Sequence, residues 1–268
     1  MNKGVFIIKI DDIIVTRIIF NRFSKEFNEC FDIDVAVAGA GPAGLTAAKY
    51  LALSGKKVVV FERKLSIGGG MWGGGMMFPV VVIQNESKHI LKESKIKLKD
   101  EKNGYFSADS VESITKICAS SIDAGTRIFN GISVEDVLLN KNRVNGFVIN
   151  WSSSEVAKLH VDPLTIRAKY CLDATGHAAE VCKIVSKKCR PKSGPLKNTD
   201  GMGGLIEKSM CADIGEKTVV ENTKEVFPGL VVCGMSANAV FGSPRMGPIF
   251  GGMLLSGKRA AEIILKKL

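Results

Sequence analysis

Apolar positions along the chain alternate between helical spacing and short unbroken runs, which marks helices interleaved with buried strands. Ile14, Ile18, Ile19 and Phe23, with Arg17, Arg22 and Lys25 interspersed, predict an amphipathic helix over residues 11–27. The run Asp34-Val-Ala-Val-Ala38 predicts a buried strand. Residues 45–54 then read as a helix ended by Gly55, and Val58-Val-Val-Phe61 as a second buried strand, so 34–62 forms a β-α-β unit. A glycine-rich loop over 68–75 and a lysine-rich segment follow. A helix over 110–124 places Val111, Ile114, Ile117 and Cys118 on one face. Residues 126–129, 133–139 and 144–151 read as a small antiparallel excursion turning at 140–143. The chain returns to the main sheet at 168–174, adds a late strand at 229–233 and closes with a helix over 251–265. There are no repeats and no low-complexity linker, so the expectation is an α/β protein of one domain over 1–268, with an inserted β/α lobe at about 85–160.

Composition supports an ordinary globular core: the 268 residues are 46% hydrophobic and 24% charged. The formal charge of +10 raises the question of nucleic acid or membrane partners. The lysines, however, concentrate in 88–102 and 183–197 and do not alternate with aromatic residues, so a solvated face is the reading and neither partner is expected. A basic field also suits an anionic small molecule. The seven cysteines have no paired CxxC spacing, and no signal peptide or long apolar span precedes them, which together predict free thiols in a reducing, cytoplasmic setting.

The turn Gly39-Ala40-Gly41-Pro-Ala-Gly44 follows a strand and opens a helix, and Glu62 ends the next strand. That context turns a weak motif into a specific one. Gly39 permits the tight turn, Gly41 lets backbone approach a pyrophosphate, Gly44 allows close helix packing, and the helix N-terminus faces the anion. Glu62 is placed to accept hydrogen bonds from ribose hydroxyls. Asp173-Ala-Thr-Gly176 brings a second turn toward the same crevice. The expected fold is a dinucleotide-binding, Rossmann-like fold of the glutathione-reductase type. Flavoproteins of that type carry a late strand ending in Gly-Asp, whereas the strand here ends in Gly234-Met235, and a methionine does not take the ribityl hydrogen bond.

Of the three histidines, His160 lies in Leu159-His-Val-Asp162-Pro163 and His177 follows Ala174-Thr-Gly176, while His89 sits among lysines and reads as surface. Imidazole and carboxylate suit ferrous iron or a similar ion, although such residues in loops are more often surface or capping groups. Arg245, in Ser243-Pro-Arg-Met-Gly247-Pro-Ile-Phe250, has a fork that suits a carboxylate, and a structural ion pair suits it equally.

Four separated motifs in this order carry a resemblance: Ser66-Ile-Gly-Gly-Gly-Met-Trp-Gly-Gly-Gly75, His160-Val-Asp-Pro163, Asp173-Ala-Thr-Gly-His177 and Pro244-Arg-Met-Gly-Pro248. Together they resemble the Thi4-type thiazole synthases, in particular the archaeal sulfide-dependent branch, over about 34–265. The resemblance implies that NAD is a substrate. Its nicotinamide is lost, and glycine and sulfide enter an ADP-linked thiazole carboxylate at an Fe(II) site. By position, Asp162 and His177 match the iron ligands, and Arg245, with Gly247, matches the grip on the glycine carboxylate. Glu62, Arg63, Gly70 and the turn Gly39, Ala40, Gly41 and Gly44 match the adenosine and diphosphate contacts, and Met235 falls beside the nucleotide. The resemblance further implies a homo-oligomer, an octamer in related proteins, with the ligand pair shared between subunits. At His160 the eukaryotic branch carries a cysteine that surrenders its sulfur. Histidine has none to give, so a multi-turnover catalyst using external sulfide is expected, with the role of His160 itself left open among metal ligation, proton transfer and space filling. The competing readings are a flavin-dependent oxidoreductase of the same fold and a non-catalytic nucleotide-binding protein.

Overall fold

The computed structural model describes residues 9–191, 193–197 and 207–268; Lys192, in the second basic run, lies outside them. In chain order the elements are α1 (Asp12–Asn28), β1 (Asp32–Ala38), α2 (Pro42–Leu53), β2 (Val58–Glu62), β3 (Val80–Gln84), α3 (Lys88–Glu93), β4 (Lys99–Asp100), β5 (Tyr105–Asp109) and α4 (Ser110–Asp123). They continue with β6 (Arg127–Asn130), β7 (Ile132–Asn140), β8 (Arg143–Trp151), α5 (Ser152–Val156), β9 (Leu164–Asp173), α6 (Glu180–Cys189), α7 (Ala212–Glu221), β10 (Lys224–Phe227), β11 (Leu230–Val232), α8 (Met235–Phe241) and α9 (Gly251–Leu265). The fold is the expected α/β dinucleotide-binding type, with helices on both faces of a mostly parallel sheet.

The sheet order is β10-β11-β9-β1-β2-β6, and β7 and β8 hang from β9 as an antiparallel hairpin. Alternation along β1 explains why both faces are covered: Val35 and Val37 enter one core with Leu45, Leu51, Ile114 and Leu254, while Ala36 and Ala38 enter the other with Phe61, Phe147, Ile166 and Val185. A parallel strand buried on both faces needs this near-continuous apolar run. The first core is roofed by α2, α4 and α9, and its tightness is set by small residues: a Cβ on Gly257 of α9 would stand 2.3 Å from the carbonyl oxygen of Ala43 in α2.

The amphipathic lead-in is α1, capped by Asp11, whose carboxylate accepts from the amides of Ile13 and Ile14. The expected antiparallel excursion is corrected at one strand. Residues 126–129 do not join it, because β6 pairs parallel to β2, from Val59 opposite Arg127 to Glu62 opposite Asn130. The helix α4 carries the chain back across the sheet before β6 begins, and such a crossover delivers a parallel strand. The glycine-rich and lysine-rich stretch contains a separate antiparallel sheet, β3-β5-β4, that periodicity did not reveal. No helix among the described residues is long and apolar enough to cross a membrane.

Behind the loop that joins α8 to α9, Glu216 of α7 is 5% exposed. Its Oε2 accepts from the amide of Gly252 at 2.5 Å, and its Oε1 is buried with no partner among the described residues. Burial is the main reason its carboxyl is pushed up to about 7; Glu86 raises it further and the Gly252 amide opposes both. A raised carboxyl binds its proton more tightly in the fold than in the unfolded chain. The cost of burying it is therefore absent below pH 4.5, grows with pH and is complete above pH 7. Relative to Glu216→Gln, the unaltered protein should lose on the order of 3 kcal/mol of stability across that window. Urea midpoints measured at both ends check this, and parallel pH dependence in the two proteins would refute it.

Candidate active site and nucleotide cleft

At the carboxyl ends of β1, β2, β9 and β11 the sheet opens into a cleft of about 1260 Å³. Ligands of open α/β sheets sit at this place. One wall is the turn after β1. Gly39 has a φ of +98°, and a Cβ there would stand 2.5 Å from the carbonyl oxygen of Ala174, so only glycine passes. Gly41, at φ −77° and ψ 178°, precedes Pro42 at the start of α2, and no side chain among the described residues caps that helix. With proline first, the donors of the opening turn are backbone amides without a side-chain acceptor, free to meet an anion.

Gly39, Gly41, Glu62, Arg63, Gly70, His177, Met235, Arg245 and Gly247 all line this cleft. Ala40 and Gly44 do not. The Ala40 amide donates to Glu62 Oε2 at 2.9 Å beneath the surface, and Gly44 faces backward, where a Cβ would meet the Gly39 carbonyl oxygen at 2.1 Å. Glu62, 8% exposed, also accepts from the Lys64 amide through Oε1 at 2.9 Å, so its carboxylate pins the turn while its remaining lone pairs face the cleft. The glycine-rich loop closes over this end: the Gly68 amide donates to the Ala40 carbonyl at 2.8 Å, and Met71 is fully buried beneath it.

The basic field expected from the net charge is not concentrated here. Among the described residues, Arg63, Lys64, Lys183 and Arg245 line the cleft beside an equal number of carboxylates, Glu62, Glu135, Glu155 and Glu180. Arg63 is moreover paired with Glu180 Oε1 at 2.5 Å. An anion at the turn would therefore be held by oriented amides rather than by a cluster of cations.

The other end is built on the end of β9. Asp173, fully buried, accepts from the amides of Thr175 and Cys182 and from the hydroxyls of Thr175 and Ser236. This sets the single 3-10 turn of Gly176–Ala178 that presents His177. His177 Nδ1 lies 2.6 Å from Glu207 Oε2, a residue that sequence reasoning missed. Glu207 is held by a short parallel bridge, in which the Lys208 amide donates to the Ser243 carbonyl and the Arg245 amide donates to the Lys208 carbonyl. His177 and Arg245 thus share one backbone frame. Their chemistry is an imidazole nitrogen and carboxylate oxygens suited to a ferrous ion, beside a guanidinium suited to a carboxylate.

His160 and Asp162 lie on the exposed loop between α5 and β9, and neither is on the cleft wall. The loop is tethered where Asn150 Nδ2 donates to the Val161 carbonyl at 3.1 Å. Among the described residues no three His, Cys, Asp or Glu side chains converge to hold a metal. All seven cysteines are free, and no cysteine is among the described residues lining the cleft. Burial pushes the thiols of Cys171, Cys182 and Cys233 well up, away from reactive thiolate.

A family model described as the Thi4 family matches residues 16–250. The chain belongs to the Thi4 family. It is 52% identical over 260 residues to the thiamine thiazole synthase of Methanothermobacter thermautotrophicus, covering 97% of this chain and 99% of that one. It is 49% identical to the thiamine thiazole synthase of Pyrococcus furiosus, covering 96% of this chain and 98% of that one. The crystal structure of Thermovibrio ammonificans THI4 superposes with a TM-score of 0.90 at 44% identity, covering 97% of this chain and 99% of the other. Membership fits the nucleotide turn and the β9 end sharing one cleft.

The turn glycines make separable demands. Nothing lies within 4 Å of a Cβ on Gly41, so Gly41→Ala should leave stability within about 0.5 kcal/mol. Gly44→Ala, forced against the Gly39 carbonyl, should cost about 1–3 kcal/mol. Urea denaturation of both variants distinguishes the positions, and equal midpoints would contradict the assignment.

Proposed function

We propose that this chain is a thiazole synthase of thiamine biosynthesis that converts NAD, glycine and sulfide into an ADP-linked thiazole carboxylate, releasing nicotinamide over many turnovers. The activity is carried by the near-full-length identity to proteins named thiamine thiazole synthase. The substrates are supported by one cleft that joins a diphosphate-binding turn to His177 and Arg245.

In this reading the amides after Gly41 hold the diphosphate and Glu62 the ribose, with Arg63 and Gly70 beside the adenosine and Met235 packed against the nucleotide. Arg245, with Gly247, orients the glycine carboxylate. His177, together with Asp162 of a neighbouring copy, holds Fe(II). Bound there, ferrous iron supplies Lewis acidity and favours the deprotonated, nucleophilic form of sulfide. External sulfide is supported by histidine at position 160 and by the absence of a cysteine among the described cleft residues. A homo-oligomer with shared sites, an octamer by the family resemblance, is supported by the apolar side chains this copy leaves in water. Ile14, Ile18, Ile19 and Phe20 of α1 are exposed, as are Leu159 and Val161 flanking His160. Exposed apolar side chains in such number favour association.

The test is an anaerobic incubation of the purified protein with NAD, glycine, sulfide and ferrous iron, followed by mass analysis of small molecules and protein. Product beyond one equivalent with unchanged protein mass is expected. Stoichiometric product with one sulfur lost from the chain would show a sacrificed cysteine, and no product at all would overturn the activity. Arg245→Ala should raise the glycine KM roughly 10- to 100-fold, the worth of charge-assisted hydrogen bonds, while ADP still binds. In Gly41→Ala it is ADP affinity that should fall.

A further inference from the structure

His177 has two ring nitrogens, and only one can be an electron-pair donor in the neutral imidazole. Which one is decided by what the other nitrogen touches. Here Nδ1 lies 2.6 Å from Glu207 Oε2. An ionised carboxylate only accepts, so the proton of this contact belongs to Nδ1. The two partners are unequal: the His177 side chain is 48% exposed and that of Glu207 only 13%. The less exposed carboxylate is the fixed member and the ring is the group it orients.

Both ends of the contact are anchored in backbone. Glu207 precedes the bridge in which Lys208 pairs with Pro244, and the Cys211 amide donates to the Arg245 carbonyl at 3.0 Å, locking the segment further along. On the other side, Ser236 Oγ donates to the Gly176 carbonyl at 2.9 Å, holding the turn that carries His177. Glu207 Oε1 is buried and has no donor among the described residues, so within them the contact with His177 is the only hydrogen bond of this carboxylate. A carboxylate aimed at one ring nitrogen is the arrangement by which proteins fix the tautomer and raise the basicity of a ligand histidine.

We propose that Glu207 is a positioning residue that holds the proton of His177 on Nδ1 and leaves Nε2 as the unprotonated donor atom at the cleft. The hydrogen bond stands independently of any ion. Its consequence for metal affinity rests on the iron site proposed above.

The experiment uses the full chain, metal-free and labelled with ¹⁵N in histidine. With only three histidines, His89, His160 and His177, each ring is assignable by single substitution. The unaltered protein should show a protonated Nδ1 and a pyridine-type Nε2 at His177. Glu207→Gln, whose amide oxygen still accepts, should retain that state. Glu207→Ala should shift the proton toward Nε2. The same three proteins are then titrated with cobalt(II) as a visible probe, and the alanine variant should bind it about 10- to 100-fold more weakly, with glutamine intermediate. A proton on Nε2 in the unaltered protein, or a tautomer unmoved in Glu207→Ala, overturns the proposal. Equal cobalt affinity in all three proteins overturns it as well. If the unaltered protein holds the Nδ1 proton yet binds no cobalt, the positioning role stands and the metal assignment of the proposed function falls.

Discussion

Asp173 is a carboxylate with no solvent contact at the end of a central strand, and the His177 end of the cleft is arranged around keeping it satisfied. An isolated charge at such depth is among the costliest features a fold can carry. Here three donors converge on it, the Thr175 amide at 3.0 Å, the Thr175 hydroxyl at 2.7 Å and the Cys182 amide at 2.8 Å, and the Ser236 hydroxyl, whose one proton is shared with the Gly176 carbonyl, adds a longer contact at 3.2 Å. Those donors come from the turn carrying His177, from the first turn of α6 and from α8. The turn, the α6 helix that directly follows it and the distant α8 are thereby fixed to the tip of β9. Charged hydrogen bonds are stronger than neutral ones and more costly to break one at a time. The turn at His177 is consequently rigid even though its side chain stands in a wide, open cleft.

The nucleotide end follows the same logic with a different acid. Glu62 spends one oxygen on the Ala40 amide and the other on the Lys64 amide. Those bonds clamp the turn between β1 and α2 to the tip of β2, leaving Gly41 and the opening of α2 as an uncluttered donor surface. Because cations and carboxylates balance among the described cleft residues, any preference of this end for an anion has to come from amide direction, which is fixed by the fold, and not from bulk charge. The +10 of the whole chain accordingly describes its outer surface better than its site.

Much of this was legible in the residues. The β-α-β unit was readable because Gly39, Gly41, Gly44 and Glu62 each answer to a local steric or hydrogen-bonding need, and α9 because helical spacing resumes immediately after Gly251-Gly252. Pairing direction was not legible at β6, since the same apolar residues serve a parallel or an antiparallel neighbour and only the crossover through α4 decides between them. Within the lysine-rich stretch, β4 is two exposed residues, too short to carry a period, and it hid the small sheet. Glu207 escaped notice for a related reason. It lies 30 residues from His177, in a segment without periodicity, and its meaning comes entirely from a tertiary contact.

The bridge of Lys208 with Pro244 ties the carboxylate facing His177 to the loop that carries Arg245. Glu207 sits on one side of it and Arg245 on the other, so any shift of the loop before α9 moves the carboxylate facing His177 and the guanidinium in the cleft together. Behind the loop, Gly215 leaves no room for a side chain: a Cβ there would stand 3.0 Å from the Met246 backbone. The loop is thus wedged against α7, with Met235, Met246, Ile249 and Val219 closing a small apolar cluster around it. Close-packed interiors of this kind transmit displacement rather than absorb it. Spacing between the His177 imidazole and the Arg245 guanidinium is therefore set by core packing behind the site, with no direct contact between the two side chains required.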